Sequence, residues 1–343
     1  MEQRSGWQTC LLVVFTLMGL MYAPLAYADS TNGDIFYTTF QGTDRVFHRT
    51  YSFDGTVLGY GTENVIASIT PGGLQGSDGL VFDPTNTQFL LVGGQNGFFY
   101  RVDTTNGNTT ASSNFAGDGA TIFHLVIDPS QASVWGTGIP DSPAVNLSLT
   151  PFNGGSLTRT ISGDVSAITG LAFVGSDAYY ASSGPSGVGS FGRIDLSTGV
   201  TTQIFGSVPA AHGLVFDSFT GDLILTGDSE ISQYHPASNS LVSTLHLDNN
   251  TFDQGTADGK GHLFVASNDG DMLFVDYSGT HLVGDAANFT DIRHFRDFLD
   301  DVAPLSGPGS HQPEIPEPST LLLLGLGGLG SLVGRSRRRP IVA

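Results

Sequence analysis

Between residues 34 and 306, apolar and polar positions mostly alternate with a period of two, in short runs bounded by Gly, Asn and Asp. Phe98-Phe99-Tyr100-Arg101-Val102-Asp103 and Met272-Leu273-Phe274-Val275-Asp276 are two such runs, each followed by a turn-forming segment (Thr105-Asn106-Gly107 and Tyr277-Ser278-Gly279). Side chains of a strand point alternately to its two faces, so this pattern predicts short strands joined by hairpins. Shorter runs are apolar throughout, such as Leu223 to Leu225 and Leu263 to Val265.

One phrase recurs through the strands. Asp78-Gly79-Leu80-Val81-Phe82-Asp83-Pro84 returns as Phe123-His124-Leu125-Val126-Ile127-Asp128-Pro129 and as Thr169-Gly170-Leu171-Ala172-Phe173. It appears again as His212-Gly213-Leu214-Val215-Phe216-Asp217, and more weakly as Gln254-Gly255-Thr256-Ala257-Asp258. The second positions, 79, 124, 170, 213 and 255, are followed in the same register by Asp301, within Asp300-Asp301-Val302-Ala303-Pro304. After each complete phrase comes a short aromatic or β-branched run, a turn, an alternating run, another turn and a polar Thr-rich run. Four short strands in about 40–45 residues make one blade of a β-propeller.

The two ends of the array complement each other. Asp34 to Phe40, Arg45 to Tyr51 and Thr56 to Tyr60 read as the second, third and fourth strands of a blade whose first strand is missing. The orphan phrase at Asp300 to Leu305 is a first strand without followers. The expectation is therefore an all-β, six-bladed β-propeller over residues 29–306, closed by a C-terminal strand that completes the first blade and leaves no long sheet edge exposed. A two-sheet sandwich is the alternative, but it requires no fixed period. The Gly-Leu-Val-Phe-Asp-Pro phrase over residues 79 to 285 resembles that of secreted lactonase-like and streptogramin-lyase-like propellers, a resemblance of architecture that does not specify chemistry.

Composition agrees with a turn-rich β protein: 46 of 343 residues are Gly and only 13% are charged. The formal charge is −19, and the imbalance is sharper in the body than in the whole chain. Arg4, Arg335, Arg337, Arg338 and Arg339 account for five of the 13 basic residues, and Lys260 is the one lysine. A body this acidic would be repelled by nucleic acid, whose binding requires phosphates to be neutralised. The single cysteine, Cys10, precedes the folded region, so no disulfide and no thiolate chemistry are expected in it.

The termini read as addresses. Arg4, an apolar run from Leu11 to Leu20 and Ala26-Tyr27-Ala28 before Asp29 predict a signal peptide over residues 1–28, removed by signal peptidase. At the other end, a Pro-rich spacer over residues 307–319 leads into an apolar run from Leu321 to Val333 and then Arg337-Arg338-Arg339. The apolar run is short for a span, and its arginines would hold that end in the cytoplasm, so residues 320–343 are expected to form a transmembrane sorting helix that inserts transiently. Pro316-Glu317-Pro318, the Leu/Gly run and the Arg cluster together resemble the PEP-CTERM sorting signal, also catalogued as the ice-binding protein C-terminal domain. That resemblance implies an exosortase as processing partner, a Gram-negative bacterium, display at the outer surface or in the extracellular matrix, and association with exopolysaccharide and biofilm.

For chemistry, the residue preceding each phrase's second position should repeat around the channel as a ring: Asp78, Phe123, Thr169, His212, Gln254 and Asp300. Two carboxylates and an imidazole there could hold a divalent cation such as calcium or magnesium, or perform acid–base work with Asp78, His212 and Asp300 as the catalytic set. Hydrogen bonding to backbone or channel water is the plainer account of the same groups. His124 stands where most phrases have Gly, either as a structural histidine or pointing to the channel mouth. Asn268-Asp269-Gly270-Asp271 is half of a calcium loop without its downstream Glu, and reads better as a hairpin turn. No Gly-x-Ser-x-Gly elbow, His-Glu-x-x-His or phosphate loop occurs. The reading is of a binding or structural module, with a cation-dependent hydrolase or lyase as the alternative.

Overall fold

The computed structural model describes residues 31–41, 45–69, 77–94, 97–112, 122–137, 144–153, 157–158, 165, 168–182, 188–209 and 211–306, whose regular elements are all strands. They form five antiparallel sheets. Sheet 1 runs Leu299–Ser306, Thr31–Thr39, Arg45–Phe53 and Leu58–Tyr60, with Asn64–Ser68 also pairing to Arg45–Phe53. Sheet 2 is Ser77–Phe82, Phe89–Gly94, Phe99–Asp103 and Thr109–Ala111. Sheet 3 is Leu125–Ile127, Ser133–Thr137, Ala144–Leu149 and Phe152–Asn153, with Leu157–Thr158 also on Ala144–Leu149. Sheet 4 is Gly170–Val174, Asp177–Ser182, Val188–Asp195 and Val200–Pro209. Sheet 5 has six strands: Ala211–Asp217, Asp222–His235, Ser240–Ala257, His262–Ser267, Asp271–Asp276 and Phe289–His294.

This corrects the expectation of six separate blades: the described strands make a propeller arrangement of five. The reason lies in Ser240–Ala257. Its first part pairs with Asp222–His235 (Leu241 opposite Tyr234, His246 opposite Glu230), and its last part pairs with His262–Ser267 (Gly255 opposite Val265). The stretch Asp248-Asn249-Asn250-Thr251, whose Thr251 still lies opposite Asp228, has neither Gly nor Pro to interrupt the ladder. Asn249 absorbs the change of direction in the left-handed region, at φ 65°, which asparagine tolerates better than other non-glycine residues. The fourth and fifth phrases therefore share one sheet. Among the described residues there is no helix, and none long and apolar enough to cross a membrane, so the expected C-terminal transmembrane helix has no counterpart there. Residues 320–343, to which that helix was assigned, lie outside the described residues, as do the signal-peptide and spacer segments.

The C-terminal strand closes the first sheet. Leu299–Ser306 pairs with Thr31–Thr39, with Val302 opposite Tyr37 and Ala303 opposite Phe36. From the other side, Thr256 Oγ1 donates to the Val302 carbonyl at 2.8 Å. Chain end and chain start are thereby held in one ladder.

The apolar runs follow from burial on both sheet faces. Ile35 and Tyr37 face the last strands of sheet 5, packing on Phe264, Met272 and Phe274, whereas Phe36 faces sheet 2 with Leu80, Leu90 and Val92. Leu91 points the other way, onto Leu125, Val134 and Leu147 of sheet 3. Leu171 and Ala172 divide in the same manner between sheets 3 and 5. A further cluster, with Ile224, Ile231, Leu263 and Val275, packs the two halves of sheet 5 on each other. Core thus lies between every pair of neighbours around the ring. The innermost strands approach so closely that glycine is required: a Cβ on Gly79 would sit 2.6 Å from the Phe123 carbonyl oxygen and 2.8 Å from Leu125 N.

Candidate functional site

The innermost strands surround the axis, and their two ends differ. At the starts of the phrases, Asp78, Gln254 and Asp300 are buried, while Phe123, Thr169 and His212 are half-buried. Asp300 is brought against Asp78 and against Asp253. Burial first, and then the charges of Asp78, Asp253 and Asp301, push its carboxyl well above the ordinary range. Asp253 is also raised, chiefly by burial, although nearby His212 and hydrogen bonds from Asn268 and Asp300 oppose the shift.

The other ring positions are tied to backbone. Gln254 Nε2 donates to the Thr169 carbonyl at 3.2 Å and to the His212 carbonyl at 3.1 Å. Thr169 Oγ1 donates to the Ala211 carbonyl at 2.8 Å, and the Asp78 carbonyl accepts from Thr38 Oγ1 at 2.9 Å. Phe123 contributes its amide to the Thr137 carbonyl at 2.7 Å. His212 lies 3.8 Å from Asp253 Oδ1 on one side and 3.8 Å from Asp228 Oδ1 on the other. The carboxylates beside this imidazole are thus Asp253 and Asp228, two residues absent from the expected ring. Among the described residues, no group of three or more His, Cys, Asp or Glu side chains is placed to hold a metal ion. Asp269 of the half calcium loop accepts from Thr251 Oγ1 at 2.6 Å, within a tight turn whose Gly270 has φ 95°.

Two residues at the phrase's second position fill space that glycine leaves elsewhere. Asp301 Oδ2 accepts from the Leu80 amide and Oδ1 from the Val302 amide, each at 2.7 Å. Burial pushes its carboxyl up to about 8 despite these two bonds, so it is largely protonated at neutral pH. His124 extends from sheet 3 towards the backbone of Leu171 and Leu214, in sheets 4 and 5. Its Nδ1 lies 3.9 Å from Asp301 Oδ2, in sheet 1. Since sheets 1 and 3 are not neighbours, this imidazole reaches across the axis. Desolvation holds its pKa down at about 4, so it is uncharged at neutral pH.

Beyond His124, the axis opens into a cavity of about 170 Å³, lined by all five sheets. Leu80, Val81, Leu125, Ala172, Leu214 and Ala303 are among its walls, and Phe82, Ile127 and Phe216 are only half-buried. Of the expected site residues, His124 alone reaches it. At this end the recurring Asp of the phrase closes turns. Asp83 accepts from Thr85 N and Oγ1 at 2.9 and 2.6 Å, and Asp128 from Ser130 N at 2.8 Å. Asp217 accepts from Phe219 N at 3.0 Å, and Asp258 from Lys260 N at 2.8 Å. These bonds are Asx turns, which explains a share of the acidic composition without invoking a ligand.

Comparison with known proteins adds two findings. The family model described as the PEP-CTERM protein-sorting motif matches residues 314–339, which carries the expected sorting signal. Among solved structures, a chain of a nidogen/laminin complex aligns with a TM-score of 0.63 and 13% identity, over 79% of this chain and 97% of that one. At that identity the likeness is one of fold. Chains from the computationally designed Ika8 protein (TM-score 0.43, 17% identity, 74% and 73% covered) and from a mitotic checkpoint complex (0.47, 12%, 80% and 79%) align more loosely. No curated protein sequence matches the chain. The motif indicates export, processing by an exosortase and sorting to the surface. The lactonase-like or streptogramin-lyase-like resemblance finds no specific support.

Proposed function

We propose that this is a displayed matrix protein of a Gram-negative bacterium, whose propeller serves as a binding or structural module associated with exopolysaccharide. The observation that carries the reading is the sorting motif over residues 314–339. It follows by a few residues a strand, Leu299–Ser306, that belongs to the first sheet of the body. On this reading signal peptidase removes residues 1–28, residues 29–306 are the functional body, and residues 307–319 are a spacer. Residues 320–343 are then the tail that accompanies Pro316-Glu317-Pro318 in sorting.

A binding or structural role is favoured over catalysis by the state of the polar groups at the axis. Asp300 is engaged with Asp78 and Asp253, and Gln254 with two carbonyls, while His212 sits between Asp253 and Asp228. A catalytic set of Asp78, His212 and Asp300 would need these groups to converge on a shared substrate position.

The test has two parts. Replacing Pro316-Glu317-Pro318 with three alanines should leave export intact but abolish surface display, read by fractionation of whole cells and medium. Purified protein should then be retained on immobilised exopolysaccharide from the producing organism; passage without retention would overturn the matrix-binding role.

A further inference from the structure

The strand that closes the ring is joined to the rest of the body by a strained connection. Leu299–Ser306 follows Phe289–His294 after residues 295–298. The first two of these are anchored. The Phe295 amide donates to the Gly270 carbonyl at 2.9 Å, and Arg296 lies over the Phe47 ring and pairs with Glu63. The change of direction therefore falls on Asp297 and Phe298. Phe298 takes it up in the left-handed region, at φ 65°, where a bulky side chain is held only under constraint. Its ring gains little in return, being 42% exposed and meeting the Phe40 ring edge to face at 5.5 Å.

The contacts of the closing strand do not depend on which copy of the chain supplies it. Leu299 and Val302 share a core with Ile35, Tyr37, Phe264 and Met272, and Ala303 shares one with Phe36, Leu80 and Val92. Asp301 accepts from the Leu80 amide, and the Val302 carbonyl accepts from Thr256. All these partners precede the hinge in sequence. A closing strand from a second copy would make the same bonds in the same register, so exchange leaves the core unchanged and alters the hinge alone. Thr31–Thr39 without its partner is an open sheet edge, a template for a strand. The Leu80 amide and the two apolar cores beside that edge select the closing strand of another copy over unrelated strands. Exchange also straightens Asp297 and Phe298 into extended backbone, which phenylalanine favours. A short hinge under strain is the arrangement that invites such swapping.

We propose that the chain forms a dimer by reciprocal exchange, the Leu299–Ser306 strand of each copy completing the first sheet of the other. The hinge leads directly into Asp300, so the two bodies meet at the polar ends of their axes. Asp228, Asp269 and Asp297 are exposed there, and their like charges oppose the encounter until salt screens them.

The experiment uses the full-length chain with Cys10→Ser, which removes its one native thiol. Two variants, Asp34→Cys and Leu305→Cys, place single thiols at positions opposite each other in the closing ladder. They are mixed, opened in urea, refolded together at high concentration in high salt, and oxidised. Disulfides between the two variants should outnumber those within either by roughly fivefold or more, because opposed side chains in an antiparallel pair lie only about 5 Å apart. The double variant, bonding within one chain, shows that the pair is in reach. Light scattering should show the wild-type dimer increasing with salt. Phe298→Gly, at an exposed position, removes the strain and should lower the dimer yield by roughly fivefold or more. A wild type that stays monomeric under all these conditions, or disulfides distributed at random between the two variants, would overturn the exchange. An undiminished dimer in Phe298→Gly would overturn the strained hinge as its cause.

Discussion

The two ends of the propeller axis are built from the same six phrases, yet one is polar and closed and the other apolar and open. At the first end, carboxyls from three strands meet, Asp78, Asp253 and Asp300, each engaged with a neighbour. At the second, the phrases present Val, Ala, Leu and Phe to a cavity. Between them lie Asp301 and His124, where four of the six phrases have glycine. What separates the ends is thus a pair of substitutions at one repeated position. Symmetry places a residue at the axis; departure from symmetry gives it a task.

The strongest way to break this arrangement is to remove the space that the glycines leave. Gly79→Ala would drive a methyl group into the Phe123 carbonyl and the Leu125 amide, both backbone atoms of an adjacent inner strand that cannot rotate away. A loss of about 3 kcal/mol is expected, measured by urea denaturation, since overpacking against backbone lies at the upper end of such effects. A cost below about 1 kcal/mol would mean that the inner strands can separate and that the division of the axis is not rigid.

The next effect is on pH. Asp301 is pushed up to about 8, so the folded state holds a proton that the unfolded chain releases near pH 4. Its contribution to stability is therefore present at low pH and is lost as pH rises towards 8. His124 is held down at about 4 against 6.5 in the unfolded chain, and its contribution grows as pH rises from 4 to 6.5. The two oppose each other across that window. These two groups nearly cancel there, and stability should fall more steeply between pH 6.5 and 8 than between pH 4 and 6.5, the raised carboxyls of Asp300 and Asp253 adding to the fall. Asp301→Asn should make the fall shallower, and His124→Asn should steepen the decline between pH 4 and 6.5. Denaturant midpoints measured from pH 4 to 9 would distinguish these cases, and an unchanged slope in Asp301→Asn would remove Asp301 from the account.

Much of the architecture can be read from spacing alone. The repeated phrase, the period-two alternation and the incomplete first blade identify which strands lie innermost and why Leu299–Ser306 returns to Thr31–Thr39. The number of sheets cannot be read this way, because it depends on whether hydrogen bonding continues through residues 248–251, and one left-handed asparagine decides that. The site is harder still. Asp253 and Asp228 fall outside the phrase's ring position, so a search for repeated positions passes over them although they flank His212. The cavity has no signature, since Leu80 and Leu214 look like core residues whether they face a neighbour or a void. His124 and Asp301 are visible as exceptions to glycine, but their meeting across the axis requires the ring to be closed.

The smallest expected effect tests whether the recurring Asp of the phrase belongs to the cavity's chemistry or only to its turns. Asp128 borders the cavity, but its Oδ1 is bound by Ser130 and its Oδ2 by Trp135. Asp128→Asn keeps an acceptor for the Ser130 amide and places an amide nitrogen opposite the indole N–H, so one hydrogen bond is lost. Stability should drop by about 1 kcal/mol in thermal or urea unfolding. A loss well above that would mean that Asp128 does more than close its turn and hold the indole. The charged rim would then belong to the apolar end, and the contrast between the two ends of the axis would be one of degree.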